Sequence, residues 1–106
     1  PGDDLKPMTF DDIRAGADYV ICLDKGGRQL TSEGLAALLE ELMRRGVKRA
    51  AFVIGGASGL PPEGAARANL ALSLGAMTFT HEMSRLILLE QTYRALTIRA
   101  GEPYHK

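Results

Sequence analysis

Three short apolar runs, each halted by glycine or a turn and each followed by residues at helical spacing, constrain this chain more than any other feature of it. They are Asp18-Tyr19-Val20-Ile21-Cys22-Leu23, Ala50-Ala51-Phe52-Val53-Ile54 and Leu70-Ala71-Leu72-Ser73-Leu74. Runs of this length between breakers read as buried strands. The first is expected to end at the loop Asp24-Lys25-Gly26-Gly27, the second at Gly55-Gly56, and the third at the irregular segment Gly75-Ala76-Met77-Thr78-Phe79-Thr80. Between the first two, Thr31-Ser32-Glu33 opens a helix with Leu35, Leu38, Leu39 and Leu42 on one face, stopped by Arg44-Arg45-Gly46. Leu60-Pro61-Pro62-Glu63 starts another, with proline in its first turn. The spacing predicts a long last helix from His81 to Ile98, its broad apolar face made of Met83, Leu86, Ile87, Leu89, Tyr93 and Leu96, broken by Gly101-Glu102-Pro103. Near the start, Thr9 is placed to cap a short helix through Phe10-Asp11-Asp12-Ile13.

Strands alternating with helices predict an α/β fold, a mainly parallel sheet covered on both faces, with ligands bound beyond the carboxyl ends of the strands. A chain of 106 residues, 45% of them hydrophobic, fits one domain. At that size burial is modest, and an oligomer interface is a natural supplement. Thirteen Lys and Arg balance thirteen Asp and Glu, so any nucleic-acid contact must come from a local patch rather than from global charge. No apolar stretch approaches membrane-spanning length and Pro1-Gly2-Asp3-Asp4 has no signal-peptide character, which predicts a cytoplasmic protein.

Most single motifs have a plain reading beside the chemical one. Gly55-Gly56-Ala57-Ser58-Gly59 lets a backbone approach a ligand, or simply joins strand to helix; it lacks the spacing of a dinucleotide fingerprint and the Gly-Lys-Ser/Thr of a phosphate loop. Ser58 has a glycine two residues before it but none two residues after, so no nucleophile elbow is present. His81 and His105, without other soft ligands near them in sequence, predict no metal site. Cys22 is the single cysteine, expected to be buried and inert. Asp24 either accepts hydrogen bonds from a ligand or belongs to an ordinary turn. Glu90 on the last helix is expected to pair with Arg94 at i+4. Arg44, Arg45, Lys48 and Arg49 form a basic cluster that dipole compensation and solvation explain at least as well as phosphate binding does.

Three segments read together are far more specific. Phe52-Val53-Ile54-Gly55-Gly56-Ala57-Ser58-Gly59-Leu60, Leu72-Ser73-Leu74-Gly75-Ala76-Met77-Thr78-Phe79-Thr80-His81, and Leu88-Leu89-Glu90-Gln91-Thr92-Tyr93-Arg94-Ala95 with Gly101-Glu102-Pro103-Tyr104-His105-Lys106 resemble the RlmH family of SPOUT-class methyltransferases in order and spacing. The resemblance runs from about Asp18 to Lys106. It implies a SPOUT fold with a C-terminal trefoil knot, a homodimer, and methylation of N3 of a pseudouridine in 23S rRNA with S-adenosylmethionine as methyl donor. Carried over by position, the cofactor contacts are Leu23, Gly56, Gly75, Ala76, Met77, Thr78, Phe79 and Thr80. The residues expected nearest the substrate are His81, Arg85, Tyr104 and His105. No DNA and no membrane partner is implied.

Two departures from the family pattern stand out. Thr80 occupies the place where the family usually has proline, and threonine there also suits a helix cap. The family also begins with a strand and helix ahead of the position of Pro1; residues 1–106 read as a single SPOUT domain without that unit, either as a fragment of a longer protein or as a shortened relative. Alternatives of other kinds are a SPOUT methyltransferase for another RNA and a non-catalytic dimeric RNA- or ribosome-binding module.

Overall fold

A computed structural model describes residues 13, 15–54 and 67–102. Of the short helix expected after Thr9, Ile13 is described and is helical; the rest of it, the glycine turn at 55–59, the start of the helix begun by Pro61-Pro62 and the tail from Pro103 lie outside the described residues. Within them the chain forms β1 (Tyr19–Gln29), α1 (Ser32–Arg44), β2 (Ala50–Val53), β3 (Leu70–Ser73) and α2 (His81–Arg99). The strands make one parallel sheet in the order β2-β1-β3. Tyr19 to Cys22 pair with Ala50 to Val53 on one side, and Ile21 to Leu23 with Leu70 to Leu72 on the other.

Both faces of the first half of β1 are out of solvent from Val20 to Cys22, as a central parallel strand requires. Ile21 joins Leu72 and Leu88 in the main core cluster, with Tyr19, Leu23, Leu38, Phe52 and Leu70 packed around it. Val20 and Cys22, on the opposite face by the two-residue period of a strand, are fully buried. Burying a side chain such as Ile21 or Val20 contributes about 1.5–3 kcal/mol. Asn69 fixes the pairing from just ahead of β3: Val20 N donates to its Oδ1 at 2.8 Å, and Asn69 N donates to Val20 O at 2.8 Å. Asp18 does similar work at the other edge, where its carboxylate accepts from Lys48 N at 2.9 Å and its own N–H donates to Arg49 O at 2.9 Å.

The helices begin and end where local chemistry says they should. Thr31 Oγ1 accepts from Gly34 N at 2.9 Å, and Thr80 Oγ1 accepts from Met83 N at 3.1 Å, each satisfying an N–H that a first turn leaves free. At the other ends Gly46 (φ 85°) and Gly101 (φ 75°) take the left-handed conformation that closes a helix. Val47 N then reaches Leu42 O and Glu102 N reaches Thr97 O, the bond pattern of a Schellman motif.

Two sequence expectations are corrected. The segment Asp24-Lys25-Gly26-Gly27 does not end the first strand. It is an excursion inside β1, so that Leu23 and Arg28 both face Leu72 and the strand resumes with Gln29 opposite Ser73. The cause is steric: a β carbon on Gly27 would lie 2.5 Å from Ala71 O, so only glycine lets the returning chain rest on the β3 backbone. The second correction concerns α2. Its buried residues are Ser84, Leu88, Ala95 and Thr97, whereas Met83, Leu86, Leu89, Tyr93 and Leu96 of the expected core face are 43–60% exposed. Small Ala95 lets α2 approach α1, where it packs with Leu35 and Ala36. α2 therefore carries apolar residues on both sides and buries only one of them within the chain.

Candidate functional site

The carboxyl ends of β1 and β3 meet the start of α1 and the middle of α2, and the features that can hold a ligand gather there. Ser73, buried at the end of β3, accepts from Gly75 N through its hydroxyl at 3.1 Å. Gly75 then turns the chain outward at φ 130°. Ala76, Met77 and Thr78 follow on the surface, with Phe79 half-buried, and Thr80 closes the segment as the cap of α2. Among the described residues the backbone of Ala76 to Phe79 makes no hydrogen bond. Such a loop offers N–H and C=O groups for hydrogen bonds to a ligand, beside the apolar side chains of Met77 and Phe79.

Next to this loop lies a cavity of about 360 Å³. Gln29, Ser32, Ser73 and Gly75 line it, with Ile87 and Gln91 from α2. Ser32 Oγ donates to Gln91 Oε1 at 2.6 Å across 59 residues of sequence. Gln91 Nε2 donates in turn to Glu90 Oε1 at 2.9 Å, and Glu90 Oε2 accepts from Arg94 Nη2 at 2.8 Å and from Nε at 3.1 Å. The expected Glu90–Arg94 pair is thus formed, and it anchors a polar chain that reaches the cavity wall.

Of the residues singled out in the sequence, Gly75 to Thr80 form one continuous segment, and Gly75 alone of them lines this cavity. Leu23 ends the first half of β1 and packs on the Ile21, Leu72 and Leu88 cluster. His81 and Arg85 are exposed, one turn apart on the first two turns of α2 and so on one face of it. Gly56, Tyr104 and His105 lie outside the described residues. Sequence reasoning missed Gln29, Ser32 and Gln91. The signal available was Gln91 itself, an amide in register with Ser84, Leu88 and Ala95 on the inward side of a helix, where a polar group needs a partner. Among the described residues no cluster of His, Cys, Asp and Glu is arranged to hold a metal ion, and no helix is long and apolar enough to cross a membrane. Burial, reinforced by the nearby Asp24 carboxylate, raises the Cys22 thiol pKa above its ordinary value.

A parallel α/β sheet with an irregular loop leaving its third strand into the last helix defines a class, and comparison with known families names it. Residues 8–105 match the family described as predicted SPOUT methyltransferase, and the chain belongs to that family. It is 53% identical, over 88% of its length, to a protein of Symbiobacterium thermophilum named ribosomal RNA large subunit methyltransferase H. Proteins of the same name from Desulfotalea psychrophila and Clostridium novyi are 51% and 53% identical over 83% of the chain. These matches bear out the resemblance to the RlmH family. The chain spans 58% of the length of the first two relatives and 55% of the third.

Proposed function

We propose that this chain forms the methyltransferase domain of a ribosomal RNA large subunit methyltransferase, residues 1–106 acting as one SPOUT domain. The reaction is transfer of a methyl group to N3 of a pseudouridine in 23S rRNA. The observation that carries this reading is the family match across residues 8–105, joined to identities above 50% with relatives of that name. Such a substrate locates the protein in the cytoplasm. The family also supplies the expectation that the C-terminal part is threaded as a trefoil knot, a rare exception to unknotted topology.

The unengaged backbone of Ala76 to Phe79 and the neighbouring apolar side chains suit S-adenosylmethionine, with Leu23, Gly56 and Gly75 to Thr80 as its contacts. When bound, that cofactor supplies an electrophilic methyl group. The protein's own task is to hold the nucleobase in line and to accept the N3 proton. His81 and Arg85, set on one face of α2 beside the loop, are placed to hold the base, with Tyr104 and His105 assigned to the same work by the family pattern. The apolar stripe Met83, Leu86, Leu89, Tyr93 and Leu96 supports a homodimer, because a second copy would remove it from water.

The test is methyl transfer from tritiated S-adenosylmethionine to large ribosomal subunits, followed by nuclease digestion and mass spectrometry of the nucleosides. Label in N3-methylpseudouridine is the expected result. Label in another nucleoside would redirect the substrate assignment, and absence of label with a bound cofactor would overturn the enzyme reading.

A further inference from the structure

We propose that the excursion in β1 is a phosphate clasp: Lys25 and Arg28 hold the sugar-phosphate backbone of single-stranded RNA at the mouth of the cavity. The proposal rests on the reading of the protein as an RNA methyltransferase and adds to it residues that neither the sequence motifs nor the family pattern singled out.

Position comes first. The excursion leaves β1 after Leu23 and returns at Arg28, both opposite Leu72, and the next residue, Gln29, is already part of the cavity wall. Lys25 and Arg28 are therefore at the carboxyl edge of the central strand, on the side of the sheet where the ligand features gather. Rigidity comes second. Gly27 lies so close to the Ala71 and Leu72 backbone that a β carbon would overlap it, and a segment seated in this way holds its charges at a fixed place. Charge comes third. Lys25 and Arg28 are exposed, and among the described residues neither forms an ion pair. The one acidic residue of the excursion, Asp24, turns its carboxylate over Gly26, with Oδ2 3.6 Å from where a β carbon there would sit. Two unpaired cations on a pinned backbone beside a concave site fit a polyanion that threads past it. With zero net charge over the chain, RNA attraction falls to local groups such as this pair.

The experiment measures binding of a fluorescein-labelled mixed-sequence RNA 12-mer to the whole chain by anisotropy across a range of salt concentrations. Each phosphate contact to a single strand contributes roughly 0.7 to the slope of log K against log salt. Lys25→Gln and Arg28→Gln should each lower the slope by about that amount and weaken binding roughly four-fold near physiological salt, and the double variant should show both losses. Arg28→Lys should keep the parental slope, as should Arg45→Gln in the basic cluster at the opposite end of the strands. Thermal melting should be unchanged throughout. Parental slopes in both glutamine variants, or no salt-dependent binding by the parent, would overturn the clasp. Expected slopes without methyl transfer would leave the clasp standing and remove the enzyme reading instead.

Discussion

Replacing Gly27 by alanine tests the least sequence-evident part of the fold. A β carbon at that position would stand 2.5 Å from Ala71 O, 2.6 Å from Ala71 C and 2.9 Å from Leu72 N. Carbon atoms settle at about 3.5–4.0 Å from their neighbours, so the chain must open by about 1 Å or more. The atoms in the way are backbone in the paired part of β3, where no rotamer change can give relief. Overpacking a well-packed core ordinarily costs about 1–3 kcal/mol, and a clash with a ladder backbone belongs at the top of that range. For a domain of this size about 3 kcal/mol lowers the melting temperature by roughly 10–20 °C. Gly26→Ala is the matched control, since its β carbon would meet only the Asp24 carboxylate, at 3.6 Å, an ordinary contact. Differential scanning calorimetry of the two variants side by side reads the difference directly. If Gly27→Ala melts within about 2 °C of the parent, the excursion does not rest on β3 and the rigidity argued for Lys25 and Arg28 falls with it.

Thr31→Ala removes the cap of α1 and should cost about 1 kcal/mol, read as a fall of about 4–8 °C in melting temperature; no shift would mean that the first turn finds its partner elsewhere. Asn69→Leu leaves Val20 N without its side-chain acceptor and should destabilise by about 1–3 kcal/mol in urea unfolding, an effect that a merely exposed asparagine would not produce. Because burial raises the Cys22 pKa, the folded state holds the thiol proton longer than the unfolded chain does. Its contribution is fully present below the thiol's ordinary range and is lost as pH climbs above about 8.5, so the stability gap between the parent and Cys22→Ala should narrow there and stay constant below it. Leu86→Glu with Leu89→Lys places charges in the exposed stripe of α2; if that stripe pairs two copies as proposed, light scattering should report a dimeric parent and a monomeric variant whose melting no longer depends on protein concentration, and equal masses for the two would refute the pairing.

The elements themselves were legible in the sequence because their signals are local. The leucine spacing of α1 and its bounds at Thr31 and Gly46 lie within one helix, as does the Glu90–Arg94 pair. The three apolar runs likewise announced three strands, and their alternation with helices announced a parallel sheet. Even the family was readable, since its motifs are contiguous words.

What the sequence left open depended on which distant residues share a place. Helical periodicity shows that α2 has apolar residues but cannot say which side meets the sheet. That was decided by the fit of small Ala95 against α1 and of Leu88 against Ile21 and Leu72. A pair of glycines after a strand reads as a turn, and only the nearness of Ala71, 44 positions on from Gly27, turns it into an excursion within a continuing strand. Ser32 and Gln91 are 59 residues apart, and nothing in either neighbourhood names the other. Local spacing fixes dihedrals and faces, whereas long-range contact is chosen by packing the whole chain at once, and so the elements were decided by the sequence and the walls of the site by the tertiary structure.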